Sequence, residues 1–310
     1  MIRFLLSRVL QAVITVWALT SVVFLVGRVT GNPAYSLLPP GVSAAQRDAL
    51  TAQLGLDKPL YHQYWLFLTD FFRGDFGTSV RTGGPVADIV IPRLLNSLEL
   101  ITVGFAIALL VSIPLAVAAS VKPKRAVDRV AMGIALLGQS IPSFFSGLLL
   151  IFVFAVKLNW LPATGMDGWQ SFVLPGVTMA WFLTAGIIRL MRSSMLEVMG
   201  QDYVRTARAK GLGPGTVAWG HAARNALLPV VTYSGLMFGI SIPSSITTEV
   251  IFNFPGLGSL AYQAVQWRDF PLLQFTVAMW ALVIVTVNLL VDIAYSFIDP
   301  RIRLTSAKVA

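Results

Sequence analysis

A cationic cluster lies within residues 202–229, between two long apolar runs. Only Asp202 opposes the cations of this segment, which are Arg205, Arg208, Lys210 and Arg224. A compact basic unit between two apolar runs is more than a tether, and its cations can steer a contact with another protein. We therefore interpret the cluster as a docking element for another protein.

Sequence motifs for catalysis, nucleotide binding and metal binding are absent. The phosphate loop G-x-x-x-x-G-K-[ST] requires a Gly-Lys pair, which the sequence lacks. No nucleophile elbow and no H-E-x-x-H motif occurs either. The chain has no cysteine, and its two histidines, His62 and His221, have no partner ligands nearby in sequence. We predict no catalytic residue, no metal site and no cofactor bound by this chain.

Short helices separated by glycines are predicted within residues 202–229. Asp202 is suited to cap a helix of about two turns over residues 203–210. Gly211 and Gly213 can adopt the positive φ that ends a helix. A second short helix is expected over residues 216–225, before the next apolar run begins.

The composition places this docking element in a membrane protein. Of the 310 residues, 56% are hydrophobic and only 12% are charged, which is far more apolar than a soluble domain. The formal net charge of +9 is better explained by basic loops on the cytoplasmic side of a membrane than by nucleic-acid binding. The bilayer is therefore the expected environment, and nucleic acid is not an expected partner.

Six uncharged runs are each long enough to cross a bilayer, which requires about 20 helical residues. The runs are Val9–Gly27, Leu100–Val121, Val130–Val156, Gly168–Ile188, Asn225–Thr248 and Phe270–Val291. A seventh run, Ile251–Trp267, is interrupted by Pro255 and two glycines, so we interpret it as a surface or re-entrant segment. We predict an all-α, polytopic membrane protein with six transmembrane helices.

Loop charges predict the orientation of these helices. Cations are concentrated before the first span, between the second and third, between the fourth and fifth, and after the sixth. By the positive-inside rule, both termini and the cationic cluster are cytoplasmic. We divide the chain into residues 1–30 (first span), residues 31–97 (an extracytoplasmic loop with short helices) and residues 98–310 (a core of five spans that contains segment 202–229).

Elements of the long outer loop can also be predicted. The loop starts with a Gly-Pro-rich stretch at residues 31–43, and Ser43 is suited to cap the helix that follows. Pro59–Phe72 is rich in aromatic residues and amphipathic enough to lie on the outer membrane interface.

Polar residues beside prolines in the third and fifth runs are candidates for a translocation path. They flank Pro142 and Pro243, and they are Gln139, Ser140, Ser143, Ser241, Ser244 and Thr247. Such residues are costly in lipid unless they face a cavity or a helix bundle. Their hydroxyl groups can equally satisfy the backbone of a kinked helix, and the sequence leaves both interpretations open. Glu249, at a predicted outer helix end, is expected to be solvated or locally paired.

Segment 202–229 resembles the cytoplasmic coupling segment of ABC-importer permeases, which inserts into a groove of the ATPase subunit. Arg205-Thr206-Ala207 stands where the general family has Glu-Ala-Ala, while Gly211 and Leu228-Pro229 match the family pattern. These departures resemble the peptide, opine and nickel permease subgroup. Further matches in order along the chain are MIRFLLSR at the start, LGLDKPLYHQY at 54–64, RGDFGTSV at 73–80, GQSIPSF at 138–144, FPGLG at 254–258 and DPRIR at 299–303.

The resemblance is to the first permease subunit of a dipeptide or oligopeptide importer in the bacterial cytoplasmic membrane. It implies a second permease subunit, two ATPase subunits that bind ATP and Mg, an extracytoplasmic binding protein and a peptide cargo. The implied ATPase-coupling residues are Asp202, Tyr203, Arg205, Thr206, Ala207, Lys210, Gly211 and Leu212. The alternatives are a nickel or opine permease of the same subgroup, or a non-energised membrane channel or scaffold.

Overall fold

The computed structural model describes residues 2–29, 42–53 and 55–298. Helices dominate these ranges, in which an isolated β-bridge joins Thr78 to Pro85. The all-α fold class predicted from the sequence is confirmed. Most of the predicted Gly-Pro-rich loop start, residues 31–41, and the DPRIR motif at residues 299–303 lie outside the described ranges.

Eleven helices are numbered here in chain order within the described residues. They are α1 (Ile2–Val29), α2 (Ala44–Gln53), α3 (Leu60–Arg73), α4 (Val86–Val121), α5 (Ala126–Ser140), α6 (Ser143–Leu150), α7 (Val173–Val198), α8 (Asp202–Ala209), α9 (Pro214–Ile251), α10 (Leu257–Trp267) and α11 (Phe270–Ile298). A π-helix over Ile151–Lys157 extends α6, and a π-helical stretch over Val217–Ala222 lies within α9.

Five of the described helices are individually long and apolar enough to cross a membrane: α1, α4, α7, α9 and α11. Helices α5 and α6 pass the same test only as a pair, and the two meet at an angle of 108°. The predicted number of six spans therefore requires the bent pair to count as one. Helix α10 has only 11 residues, too few to span, as predicted for this interrupted run.

The run Val130–Val156, predicted as one span, is formed by two helices that meet at a sharp bend. The δ-carbon of a proline disfavours helical geometry at the preceding residue. Ile141 accordingly has φ −93° and ψ 120°, and Pro142 follows with φ −57° and ψ 141°. Two consecutive extended residues end α5, and α6 starts anew at Ser143.

The chain divides into two compact units, of which the first comprises residues 1–97 and 255–286. Aromatic side chains pack between its helices: the ring of Phe24 in α1 lies 5.3 Å from the rings of both Tyr64 and Phe67 in α3. Phe76 stacks on Phe275 of α11 with the ring centroids 3.8 Å apart. The aromatic residues of Pro59–Phe72 thus fold back in part onto the unit itself.

Asp269 holds the 79–81 turn against the start of α11 in the same unit. Its carboxylate is fully buried; Oδ1 accepts the Leu272 N–H at 3.2 Å and so caps α11. Oδ2 accepts the Ser79 hydroxyl at 2.6 Å and the Arg81 N–H at 3.2 Å. One carboxylate therefore joins two segments that are 190 residues apart in sequence.

The second unit comprises residues 98–254 and 287–310. Close helix packing in it depends on small residues, as is usual between membrane helices. A Cβ atom at Gly138 of α5 would lie 2.8 Å from the Cβ of Ala185 in α7. A Cβ atom at Gly186 would collide with the phenol of Tyr233 in α9. Helix α7 therefore contacts α5 and α9 at distances that only glycine permits.

The helix caps show which local predictions hold. Ser43 caps α2 as predicted: its Oγ accepts the Gln46 N–H at 3.3 Å, and Gln46 Oε1 in turn accepts the Ser43 N–H at 3.3 Å. For α8, Gln201 rather than Asp202 occupies the N-cap position, and Asp202 is the first helical residue.

Candidate functional site

Helix α8 is a two-turn helix whose C-terminal end has a defined cap. Gly211 adopts a left-handed conformation with φ +81°, as predicted. Its N–H donates to the carbonyl of Arg208 at 2.9 Å, and the N–H of Leu212 donates to the carbonyl of Ala207 at 3.4 Å. These two bonds form a Schellman motif, which satisfies the last carbonyl groups of α8 and fixes the direction in which the chain leaves it.

One face of α8 is buried against neighbouring segments of the second unit, to which α8 belongs. Val204 and Val217 are fully buried, Ala207 is 7% exposed, and Val198 and Met199 pack against this cluster. The family resemblance assigns Ala207 to the coupling segment. Its side chain packs in this buried cluster and thus holds α8 against its own chain. The buried cluster holds the short helix in place, which its own two turns could not do.

The opposite face of α8 is exposed. It carries Asp202, Tyr203, Arg205 and Thr206. The remaining residues assigned to coupling by the resemblance are exposed directly after the helix, and they are Lys210, Gly211 and Leu212. Arg205 and Asp202 form an ion pair of 3.7 Å with highly exposed side chains, so solvent screens it and it contributes little. The Tyr203 hydroxyl accepts a hydrogen bond from Asn225 Nδ2 at 2.7 Å, which ties α8 to the first third of α9.

The connection from α8 to the membrane differs from the sequence prediction. No separate second helix is formed over residues 216–225, because α9 runs from Pro214 to Ile251 without a break. Pro214 occupies the first turn, where its missing N–H costs nothing. The prediction of a positive φ at Gly213 is wrong: this residue is the N-cap of α9, with φ −65° and ψ 156°. Only residues 210–213 therefore separate α8 from a helix that is long and apolar enough to span a membrane.

An ion pair between α5 and α7, with a buried carboxylate, was missed by the sequence reasoning. The carboxylate of Asp128, in the first turn of α5, accepts hydrogen bonds from Arg192 Nε at 2.5 Å and from Arg192 Nη2 at 2.8 Å. It also accepts the N–H of Lys124 at 2.7 Å. Asp128 is 4% exposed. The pair joins α5 to α7 shortly before α7 leads into α8. Only the presence of one carboxylate among the loop cations could have signalled it.

The candidate path residues fall into two groups. Gln139, Ser140 and Ser143 are exposed at the bend between α5 and α6. On α9, Ser244 and Thr247 lie on an exposed face. Ser241 does not lie on that exposed face. It is 7% exposed, and its hydroxyl donates to the carbonyl of Met237 at 2.8 Å.

Glu249 is fully buried near the end of α9, so the prediction of a solvated carboxylate is wrong. Its Oε1 accepts the hydroxyl of Ser245 at 2.8 Å, which agrees with the alternative of local pairing.

Among the described residues, no three His, Cys, Asp or Glu side chains are grouped so that they could hold a metal ion.

Known proteins resemble this chain along almost all of its length. The family model described as binding-protein-dependent transport system inner membrane component matches residues 101–304, and the N-terminal model for the membrane components of these systems matches residues 1–100. Two curated relatives are named glutathione transport system permease protein GsiC, in Escherichia coli strain K12 and in Shigella dysenteriae serotype 1. Each is 39% identical over 304 residues, which are 98% of this chain and 99% of the relative.

A solved structure described as an amino acid ABC transporter with histidines has a TM-score of 0.52 to this chain. The match covers 67% of this chain and 92% of the other, with 18% sequence identity. At that identity, the similarity shows the fold alone.

Proposed function

Because the chain belongs to the family of binding-protein-dependent transport system inner membrane components, we propose that it forms part of the passage through which an ATP-driven importer moves di- or oligopeptides. Glutathione, itself a small peptide, is the first candidate cargo. Relatives at 39% identity over 98% of the chain carry that substrate in their names. The chain itself is a multi-pass inner-membrane transport subunit and not an enzyme.

The proposed importer contains a second permease subunit, two ATPase subunits and an extracytoplasmic binding protein. ATP and Mg are bound by the ATPase subunits, and hydrolysis there supplies the energy. The cationic face of α8 meets an ATPase subunit, with Arg205 and Lys210 steering the encounter and Tyr203 and Leu212 supplying apolar contact. Ala207 differs from the other coupling residues because it does not contact the ATPase subunit. It packs against its own chain and thereby holds α8 in position.

The observation that supports this proposal most strongly is the construction of α8. An exposed two-turn helix is anchored by a buried cluster behind it and by a fixed cap at Gly211. A flexible cytoplasmic loop would deform when an ATPase subunit moved against it. An anchored helix instead moves together with the residues on which it packs. Val217, in the anchoring cluster, already belongs to α9.

Helix α9 then carries the displacement into the membrane. From Val217 to Ser244 it advances about 40 Å at 1.5 Å per residue. The proposed path is lined by the exposed residues Ser244 and Thr247 of α9 and by the polar residues at the bend between α5 and α6. Rocking of α9 alternates the access of this path between the two sides of the membrane.

The experiment is uptake into proteoliposomes that contain this chain with its second permease, the ATPase subunits and the binding protein. We expect ATP-dependent accumulation of labelled glutathione or of a dipeptide, and none when the ATPase subunits are omitted. Uptake that persists without the ATPase subunits would instead indicate a non-energised channel. Accumulation of nickel or an opine, with no peptide accumulated, would indicate the other members of the subgroup.

A further inference from the structure

A cavity of about 340 Å³ lies within the first unit, and its lining combines apolar side chains with several charged and amide groups. The ends of α1 and α3, the turn around residues 75–77 and the first turn of α11 enclose it. Its charged and amide-bearing lining residues are Arg28, Gln63, Asp70, Asp75 and Gln274. One cation and two carboxylates thus line one cavity.

Two polar atoms of this lining are buried without a hydrogen-bond partner among the described residues: Arg28 Nε and Gln63 Oε1. Gln63 is only 8% exposed, and its Nε2 donates to the carbonyls of Leu56 at 3.1 Å and Lys58 at 2.7 Å. These bonds fix the amide, so Oε1 cannot turn away to find a partner. A buried donor and a buried acceptor left unsatisfied cost free energy that a ligand with both functions would recover.

The position of the cavity indicates where such a ligand comes from. Arg28 is the last residue of the first candidate span, Val9–Arg28. Helix α3 beside it exposes 77% of Tyr61, 65% of Trp65 and 81% of Phe72. Exposed aromatic side chains at a span end are typical of the membrane interface, where lipid headgroups lie.

The surface of α1 leading to the cavity is apolar. Val22, Leu25 and Val26 are each more than half exposed on the turns that precede Arg28. Aliphatic side chains on a membrane span are a suitable surface for acyl chains. A molecule with an apolar tail along α1 would therefore carry its headgroup to the cavity.

We propose that this cavity binds the headgroup of a phospholipid with a primary ammonium group, of which phosphatidylethanolamine is the common bacterial form. The lipid phosphate pairs with the Arg28 guanidinium. The ammonium group donates to the carboxylates of Asp70 and Asp75 and to Gln63 Oε1. A quaternary ammonium cannot donate these hydrogen bonds. A headgroup without an ammonium leaves Asp70 and Asp75 without a cation from the lipid, and among the described residues Asp75 Oδ1 then keeps only the N–H of Gly77, at 3.0 Å.

Native mass spectrometry of the complete importer complex, purified in detergent, tests this proposal on the wild-type protein. Phosphatidylethanolamine, phosphatidylcholine and phosphatidylglycerol with identical acyl chains are added in equal amounts. We expect phosphatidylethanolamine to be retained about tenfold or more over the other two, the ratio produced by losing one hydrogen bond to a charged group. Equal retention of the three lipids would overturn the proposal.

Matched variants locate the binding. Arg28→Gln and Asp70→Asn should each abolish the preference for phosphatidylethanolamine. Arg73→Gln and Asp57→Asn change exposed charges outside the cavity, so they should preserve it. A preference retained in both Arg28→Gln and Asp70→Asn would overturn the assignment to this cavity, as would displacement of the lipid by free glutathione. If a cavity variant fails to assemble, the wild-type lipid series still decides.

Discussion

Replacing Gly211 by valine is expected to uncouple hydrolysis from transport while the permease stays assembled. The added side chain meets no atom within 4 Å of its Cβ, so steric collision with the rest of the chain contributes nothing. The cost comes from the backbone, because φ +81° is strained for any L-residue by about 1–2 kcal/mol and more for a β-branched one. Relief of that strain breaks the Schellman bonds of Gly211 and Leu212 and releases the C-terminal end of α8.

A penalty of 1–2 kcal/mol corresponds to a factor of about 5–30 in the population of correctly positioned α8. Cargo-stimulated ATP hydrolysis in proteoliposomes should therefore fall by about that factor or more. Gly213→Val is the matched control, because Gly213 is equally exposed, has open space around it and has φ −65°. It should retain near-normal activity. Gly211→Asn should recover most of the loss, since asparagine tolerates the left-handed conformation.

Wild-type coupling in Gly211→Val would refute the view that a fixed cap aims α8. Equal losses in Gly211→Val and Gly213→Val would refute it too, since bulk in the loop rather than backbone geometry would then be responsible.

Three further outcomes are expected. If the exposed face of α9 lines the path, Ser244→Trp and Thr247→Trp should slow uptake while ATPase subunits still co-purify. Unchanged uptake for both variants would mean that these hydroxyl groups only form hydrogen bonds with the backbone of their own helix. Asp269→Ala leaves the Ser79 hydroxyl and two N–H groups without their acceptor, so thermal unfolding of the purified complex should occur at a lower temperature, consistent with about 2 kcal/mol or more; an unchanged melting temperature would contradict this role. In this cysteine-free chain, a single cysteine at Gly83 should react with an impermeant thiol reagent from outside intact cells, and one at Thr216 only after permeabilisation; labelling of Thr216 from outside would reverse the predicted orientation.

The family, the membrane localisation and the helical class follow from the sequence and are confirmed. These features could be predicted because each depends on residues that are neighbours in sequence, as do the runs of apolar residues and the helix caps at Ser43 and Gly211. The orientation and the assignment of the coupling and path residues stay predictions.

Prolines show where local information ends. Pro142 ends α5 and turns the chain by 108°, whereas Pro229 and Pro243 are both accommodated inside α9. Each frees a backbone carbonyl, but whether the two halves of a helix stay in line depends on the helices packed around them. The sequence therefore marks the place of a possible bend without giving its angle.

Pairing between distant residues lies further beyond sequence reasoning. Asp269 appears in sequence as an exposed loop acid, and only the folded chain brings it to Ser79. Asp128 similarly counts as a minor charge in a basic loop until Arg192 is found against it. Gly213 was misassigned because two nearby glycines look alike in sequence, whereas one follows a helix and the other caps the next.

Site-specific cross-linking between α8 and an ATPase subunit tests the central claim most directly. Single cysteines at Tyr203, Arg205 and Leu212, each labelled in the assembled importer with a short reagent that joins a thiol to a photoreactive group, should form a covalent product with an ATPase subunit on illumination. The yield should change between the nucleotide-free and ATP-bound states. A cysteine at Arg125, in another loop predicted to be cytoplasmic, serves as the control and should react far less. If these three positions, two in α8 and one directly after it, gave no product in either state while the importer remained active, α8 would not be the element that couples hydrolysis to transport.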